Sequence, residues 1–403
     1  MKLAAIIAEY NPFHNGHRHH LNQTRSLTGA THIMVLLSGG FVQRGGPAIA
    51  DKWIRAEMAV QNGADLVCEL PYIYAGAGAE PFADGSVSIL NAAQAVDLLS
   101  FGSESGEIAS LQTVADTLCD EPDTLSDALK HYLNQGMGFA AARAKAAREI
   151  MGEKAADLLK KPNDILAVEY LKAIRRQHSN FTAFTLNRSG TGHNDSTPTT
   201  HAFSSAMHIR ACLAKGDDLI VEPYVPYTSD VLKNMHVGTI HENYNNALLA
   251  RLTACDLSDI RALPDVSEGL EFAIKNALKR ADSIEDIIDE VSSKRIPKSR
   301  VRRILAHLMM AATQEKMSAL RQAPPYLRVL AMNEKGREII KTIKSRSDMP
   351  ILTNLRTNQT NLSDEQKQIL ALDIKATDLQ SLFSGQFCYH RDYKQNPILH
   401  IEK

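Results

Sequence analysis

The sequence predicts an α/β protein, a parallel sheet covered on both faces, followed by a mainly α-helical domain. Three observations carry this. The runs LAAIIAE (3–9), HIMVLLS (32–38), ADLVCEL (64–70) and AVDLLSF (ending at 101) are almost wholly apolar, as strands buried on both faces of a parallel sheet are. The stretches between them have helical character, which is the punctuation of βαβ units. Beyond about residue 235 the pattern changes to helices joined by short polar turns.

In chain order, GHRHHLNQTRSL supplies the first helix, and DKWIRAEMAVQNG a second that opens on Asp51 as a cap and closes near Gly63. After about residue 105 come ALKHYLNQ, AARAKAAREIMGEKAADLLKK and NDILAVEYLKAIRRQ, all helical. FTAFTLNR (181–188) returns to the sheet, a polar loop follows over 189–203, and a helix starts near SSAMHIR. The second part reads as DVSEGLEFAIKNALKRA, PKSRVRRILAHLMMAATQEKMSALRQA and GREIIKTIKSRS, all helical. The expected division is 1–230 and 231–403, although no Pro/Gly/Ser-rich linker marks the boundary.

Composition narrows the function classes. With 403 residues, 44% of them hydrophobic, the chain has ample material for a core. A formal net charge of −1 excludes a generally cationic coat, so a polyanion would have to be held by a local patch. The early apolar run LAAIIA stops at Glu9, short of a signal core or a membrane span, which predicts a cytoplasmic protein with no membrane partner. Cys68, Cys119, Cys212, Cys255 and Cys388 form no CxxC pair and are expected to be reduced and mostly buried.

The most informative stretch is EYNPFHNGHRHH (9–20), directly after the first strand. A helix N-terminus offers unpaired N–H groups and partial positive charge, and so attracts phosphate. His14 and His17, three residues apart at that turn, can both donate to a phosphate bridge, and Gly16 permits close backbone approach. Donors placed where charge develops stabilise a transition state without a covalent intermediate. A surface turn that happens to hold histidines, or a metal site, are the alternatives. For the metal, no carboxylate or cysteine is suitably spaced to complete a ligand set, so none is expected. His19 and His20 read as bystanders on these grounds.

NPFHNGH resembles the HxGH signature of the HIGH-type nucleotidyltransferases. Together with GGFVQRGGPAIADKWIRAEMAVQNGADLVCELP, FGSES, KPNDILAVEYLKAI, SSAMHIR and KSRVRRILAHLMM, it resembles the bacterial tRNA(Met) cytidine acetate ligase family, with motifs in order from residue 6 to beyond 310. The resemblance implies a Rossmann-like domain that activates acetate with ATP to acetyl-AMP. The acetyl group then passes to N4 of the wobble cytidine of elongator tRNA(Met), with no part for DNA. It also implies ATP contacts from Ile7, Ala8, Glu9, Tyr10, Asn11, Pro12, Phe13, His14, Asn15, Gly16, His17, Arg18, His19 and His20, and from Gly102, Asn163 and Arg188. Mg2+ is expected from phosphate chemistry in general.

The residues themselves give these positions weight. Gly102 lies at the predicted carboxyl end of the fourth strand, where open α/β sheets bind ligands. Arg188 closes FTAFTLNR, where a guanidinium suits triphosphate. Asn163 reads as a helix N-cap. Ser204 and Ser205, with Arg210 one to two turns later, form a second candidate phosphate site. Gly39, Gly40, Gly45 and Gly46 flank Gln43 and Arg44 in a candidate active-site wall. The cluster KRIPKSRVRR, with Lys294, Arg295, Lys298, Arg300, Arg302 and Arg303, follows the acidic DSIEDIIDE and suits a phosphate backbone. KMSAL (316–320) sits in a predicted helix and reads as a chance likeness to a synthetase loop. Two rivals stay open on the residues alone: an adenylyltransferase acting on a small metabolite, and a non-catalytic nucleotide- or RNA-binding protein.

Overall fold

The computed structural model describes residues 1–188, 203–227, 231, 235–267 and 269–401. The polar loop expected over 189–203 lies almost wholly outside them. Among the described residues, β1 (Leu3–Ala8), β2 (His32–Ser38), β5 (Leu66–Leu70), β6 (Leu98–Ser103), β7 (Thr182–Asn187), β8 (Leu327–Met332), β9 (Ile351–Leu352) and β10 (Ile398–Leu399) form one sheet. Its order is β10-β8-β5-β2-β1-β6-β7, with β9 also paired to β8. A separate hairpin joins β3 (Phe41–Val42) to β4 (Gly46–Pro47).

Strand alternation divides the core. Leu3, Ala5, Met34 and Leu36 join one buried cluster, while Ala4, Ile6, Ile33, Val35 and Leu37 join another. Successive side chains leave opposite faces of a strand, so each face of the sheet needs its own cover. One cover comes from α1 (Asn15–Thr28), through Leu21, and from α2 (Lys52–Gln61), through Trp53, Ala56 and Ala59. Asp51 caps α2 by accepting from Trp53 N and Ile54 N. The helices Ala79–Ala93, Pro162–Arg176, Lys298–Met310 and Asp364–Phe383 supply buried residues to the other cluster.

The chain lays β1, β2 and β5 down in one direction, then returns to place β6 and β7 on the other side of β1. The pairs β1–β2, β2–β5, β1–β6 and β6–β7 are parallel. Such a reversal opens a crevice beyond the strand ends, here between β1 and β6.

The later part is mainly helical, as expected, and also supplies strands that the sequence pattern does not mark. β8, β9 and β10 come from residues 327–399, and β8 pairs antiparallel with β5. An apolar run as short as LRVLAM does not distinguish a buried strand from a buried helix turn by periodicity. The long helix read over 297–323 is also two helices, Lys298–Met310 and Gln314–Leu320, parted at Ala311 by a left-handed residue with φ of 49°. Among the described residues, no helix is long and apolar enough to cross a membrane.

Candidate active site

The crevice is built around the turn from β1 to α1. Tyr10 adopts φ of 46°, and the Asn11–Pro12 bond is cis. Four contacts tie this turn down. Asn11 Oδ1 accepts from Ile49 N at 2.8 Å, Arg210 Nη1 donates to Asn11 O at 2.7 Å, and Tyr227 Oη donates to Phe13 O at 2.8 Å. Arg55, wholly buried, donates to the carbonyls of Glu9 (2.7 Å), Ser38 (2.8 Å), Ala50 (2.9 Å) and Gly39. One guanidinium therefore holds the carboxyl ends of β1 and β2 to the loop before α2.

His14 is the N-cap of α1. Its Nδ1 accepts from Gly16 N at 3.1 Å, while His17 Nδ1 accepts from His14 N at 3.2 Å. The two rings stack at 3.7 Å, with Tyr10 and Phe13 packed against His17. An accepting Nδ1 carries no proton, so both neutral rings hold their N–H at Nε2. Neither Nε2 has a protein partner among the described residues. Burial, reinforced by the Arg188 and Arg210 charges, pushes His14 down to about 3, and burial pushes His17 well below its ordinary value. The turn thus presents two N–H donors that stay neutral at physiological pH. Gly16 has a local reason too: a Cβ there would lie 2.8 Å from His14 Cε1.

Two guanidiniums act on these rings, with a third acting on both of them. Arg188 and Arg210 both depress His14, and Arg44 in turn depresses both of them. Neither Arg188 nor Arg210 forms an ion pair among the described residues. Arg188 lies across Gly102, where a Cβ would come within 3.0 Å of its Cγ. Positive charge gathered here, offset in part by Glu104 at Arg188 and Glu9 at Arg210, suits an anion of high charge. Arg44 and Gln43 sit at the tip of the β3–β4 hairpin, and Gln43 N donates to Glu9 Oε1 at 2.9 Å.

Some residues stand elsewhere than the sequence places them. Asn163 is not the N-cap: Lys161 is, with Pro162 next, and Asn163 lies inside the first turn. Its side chain and backbone N donate to Glu104 Oε1 at 2.7 and 3.1 Å, and Asp164 N donates to Oε2 at 2.8 Å. Glu104, which the sequence reading passed over, is therefore the anion that satisfies this helix start, and its charge also reaches Arg188. His20 is no bystander, because its Nε2 meets Ser100 Oγ at 3.0 Å. His19 is exposed, edge-on to Phe203, and Arg18 is exposed beside it. Asn15 reaches Pro223 O at 2.9 Å, and Ile7 and Ala8 close β1 partly buried. Ser205 caps the helix Ala206–Ala214, and Ser204 Oγ is buried without a partner among the described residues.

The glycine loop faces protein. A Cβ at Gly40 would strike Ala376 O, and one at Gly45 (φ 81°) would strike the backbone of Arg302 and Arg303. These glycines let the hairpin seat against two helices. The basic cluster is also largely neutralised: Lys298 pairs with Asp289, Arg302 with Glu285 at 2.8 Å, and Arg303 with Asp265 at 2.9 Å. Arg300 donates to Asp265 O and Ser267 Oγ. Lys294 and Arg295 are exposed and form no ion pair among the described residues. The acidic helix Ile284–Val291 folds back on the basic one.

Among the described residues, no group of three His, Cys, Asp or Glu side chains is arranged to hold a metal ion.

Comparison with known proteins fits this geometry. The family model HIGH Nucleotidyl Transferase matches residues 1–396. A tRNA(Met) cytidine acetate ligase of Clostridium kluyveri is 39% identical over 412 residues, covering 99% of both chains. One of Thermoanaerobacter sp. is 38% identical over 388 residues, 95% of both. The crystal structure of Thermotoga maritima TmcAL in its apo form superposes with a TM-score of 0.93 at 32% identity, covering 100% of both chains. The form bound with alpha-thio ATP superposes at 0.90, again at 32% identity and full coverage.

Proposed function

Because the chain belongs to the tRNA(Met) cytidine acetate ligase family of HIGH nucleotidyl transferases, we propose that the crevice at His14 and His17 is where ATP activates acetate. The protein is an ATP-dependent ligase that acetylates tRNA cytidine. The observation that carries the assignment of the site is the pair of histidine donors at a helix start, with Arg210 bonded to Asn11 O of the same turn and Arg188 laid across Gly102.

In the first step an acetate oxygen attacks the α-phosphorus of ATP, the bond to the bridging oxygen breaks, and pyrophosphate leaves. Acetate ionises near ~4, so it arrives as the nucleophile and needs no base. Alignment and charge stabilisation remain to be supplied. The Nε2–H groups of His14 and His17 donate to phosphate oxygens as charge builds, the α1 N-terminus adds its partial positive charge, and the three arginines offset the triphosphate. Gly102 gives Arg188 its path across the strand end. Asn163 and Glu104 shape the opposite wall, and Ser204 with Arg210 extends the phosphate surface.

In the second step the N4 amine of the wobble cytidine of elongator tRNA(Met) attacks the acetyl carbon. A nitrogen–carbon bond forms, the bond to AMP breaks, and nitrogen loses a proton. Mg2+ belongs to this reading as a companion of the nucleotide phosphates, since the protein offers no three-residue ligand group of its own among the described residues. A cytoplasmic location, where tRNA and ATP meet, is part of the same reading.

The test is acetate-dependent exchange of labelled pyrophosphate into ATP, followed by mass spectrometry of nucleosides from tRNA treated with enzyme, ATP and acetate. Exchange that needs acetate, with N4-acetylcytidine in tRNA(Met), is expected. Exchange without acetate would make the protein an adenylyltransferase of another acceptor.

A further inference from the structure

The helix Asp364–Phe383 has two working faces. One holds the active-site loop: Gln380 Nε2 donates to Ala48 O at 3.2 Å, and Ala376 O sits against Gly40. The other face, with Ile374, Lys375, Asp378 and Leu382, forms one wall of an open cavity of about 470 Å³. Phe387, Tyr389, His390 and Tyr393 form the other wall.

These rings are a platform. Phe387 and Tyr389 are 57% and 58% exposed, with centroids 6.2 Å apart and planes inclined by 37°. Tyr389 in turn stacks on His390 at 3.9 Å, and His390 packs against Tyr393 at 5.4 Å. His390 N is anchored to Asp378 Oδ1 at 2.8 Å, and Lys394 Nζ reaches Tyr389 O at 3.0 Å. Large aromatic faces held in order yet left in water mark a binding surface.

Cations without acidic partners among the described residues border the platform. Lys375, in the cavity wall, donates from Nζ to Met310 O at 2.7 Å and is pushed down by burial and then by the charges of Lys316 and Arg251, with no carboxylate among the groups acting on it. Lys316 and Arg251 are exposed, and neither side chain has a hydrogen bond or ion pair with a described residue. The contrast with Lys298, Arg302 and Arg303, which already have acidic partners, is direct. Rings for bases beside cations not neutralised by carboxylates, for phosphates, are the combination that holds a single strand. A duplex, with its bases stacked inside, could use only the cations.

We propose that the groove between Tyr389 and Lys375 binds unpaired nucleotides of the substrate tRNA adjacent to the cytidine being acetylated. This rests on the reading above that tRNA is the acceptor. The groove and the active-site loop lie on opposite faces of one helix, about 10 Å thick, a gap that a few extended nucleotides cross. The strand passes from the groove around the helix to the crevice, its bases on Phe387 and Tyr389 and its phosphates near Lys375, Lys316 and Arg251.

The experiment compares wild type with Tyr389→Ala, Phe387→Ala, Tyr389→Trp and the pair Arg251→Ala/Lys316→Ala, all in the full chain and checked by thermal melting. Acetate-dependent pyrophosphate exchange stays within about twofold of wild type in every variant. The tRNA dissociation constant rises about fivefold to a hundredfold for each lost ring, and Tyr389→Trp retains wild-type affinity. The double cation variant shows a salt dependence shallower by roughly the two lost phosphate contacts. An unstructured cytidine hexanucleotide binds wild type better than an RNA hairpin stem does. Wild-type tRNA affinity in Tyr389→Ala and Phe387→Ala, with the wild type acetylating tRNA normally, would overturn the proposal. So would a dimer that Tyr389→Ala separates while tRNA affinity holds, since the rings would then join two copies. A wild type that acetylates no tRNA strikes instead at the acceptor reading on which the proposal rests.

Discussion

The rings of His14 and His17 stack at 3.7 Å, and each Nδ1 is already committed to a backbone N–H of the turn that they frame. Capping and donation are therefore performed by different nitrogens of the same ring. His14→Asn retains a side-chain oxygen for Gly16 N but has no Nε2–H, whereas His14→Ala loses both. Exchange activity should fall by about 10²-fold or more in each. Stability should fall by about 1 kcal/mol only in the alanine variant. Comparable melting temperatures with near-normal exchange in both would refute the donor role.

The depressed histidines make the free protein sensitive to acid. His14 is held down to about 3, and His20 and His307 to about 4, each chiefly by burial. In the unfolded chain they titrate near ~6.5. Their contribution is thus fully present above that value and drains away as pH falls toward 4, by up to about 1.4 kcal/mol per unit for each. Asp373, raised to about 8 by burial and the neighbouring Glu69 charge, works in the opposite sense. Wild type minus His14→Asn isolates one histidine. Urea denaturation from pH 7.5 to 5 should show two nearly equal stabilities that part with acid, wild type falling below His14→Asn once the pH passes about 6.5, and a constant difference would contradict this.

Gly102 tests the path of Arg188. An alanine Cβ would lie 3.0 Å from Arg188 Cγ and 3.2 Å from Cδ, so the side chain must leave the strand end. Because Arg188 forms no ion pair among the described residues, little folding energy goes with it. Gly102→Ala should weaken ATP binding roughly tenfold, the scale of one displaced charge-assisted contact, with the melting temperature nearly unchanged. Calorimetric titration with a non-hydrolysable ATP analogue measures it. Unchanged affinity would remove Arg188 from the nucleotide site.

Arg302 and Arg303 should part company. Arg302 shares an exposed pair with Glu285, so Arg302→Ala should cost at most about 1 kcal/mol and shift tRNA affinity little. Arg303 is more buried and pairs with Asp265, next to the stretch of backbone, shared with Arg302, that seats Gly45 of the hairpin carrying Arg44. Arg303→Glu should lower both pyrophosphate exchange and tRNA acetylation, with a measurable loss of melting temperature. Selective loss of tRNA acetylation would restore the cluster as an acceptor surface.

Much of the crevice is legible in the chain because its determinants are local. A strand, a polar turn and a helix start within a dozen residues place His14 and His17, and apolar runs mark β1, β2, β5 and β6. What escapes is set by distant partners. The pairing of Arg302 and Arg303 depends on how Ile284–Val291 folds back, and charge spacing along the chain does not carry that. Glu104 gains its role from a helix start some sixty positions away. Arg55 could have been noticed, like Lys52, as a cation among the apolar residues of α2, between Trp53 and Ala59. The strand character of LRVLAM is decided by the open edge of β5 rather than by its own six residues.

That edge has a consequence for biosynthesis. β5 ends at Leu70, and its partner β8 is not made until residues 327–332. At ordinary synthesis rates the interval is on the order of tens of seconds. Throughout it, a growing chain carries an apolar strand with unpaired N–H and C=O groups along one side, a template for pairing with another chain. The ribosome therefore cannot release a finished nucleotide-binding half early. A nascent product stalled before residue 327 would leave that edge open and tend to aggregate, rather than become a smaller working enzyme.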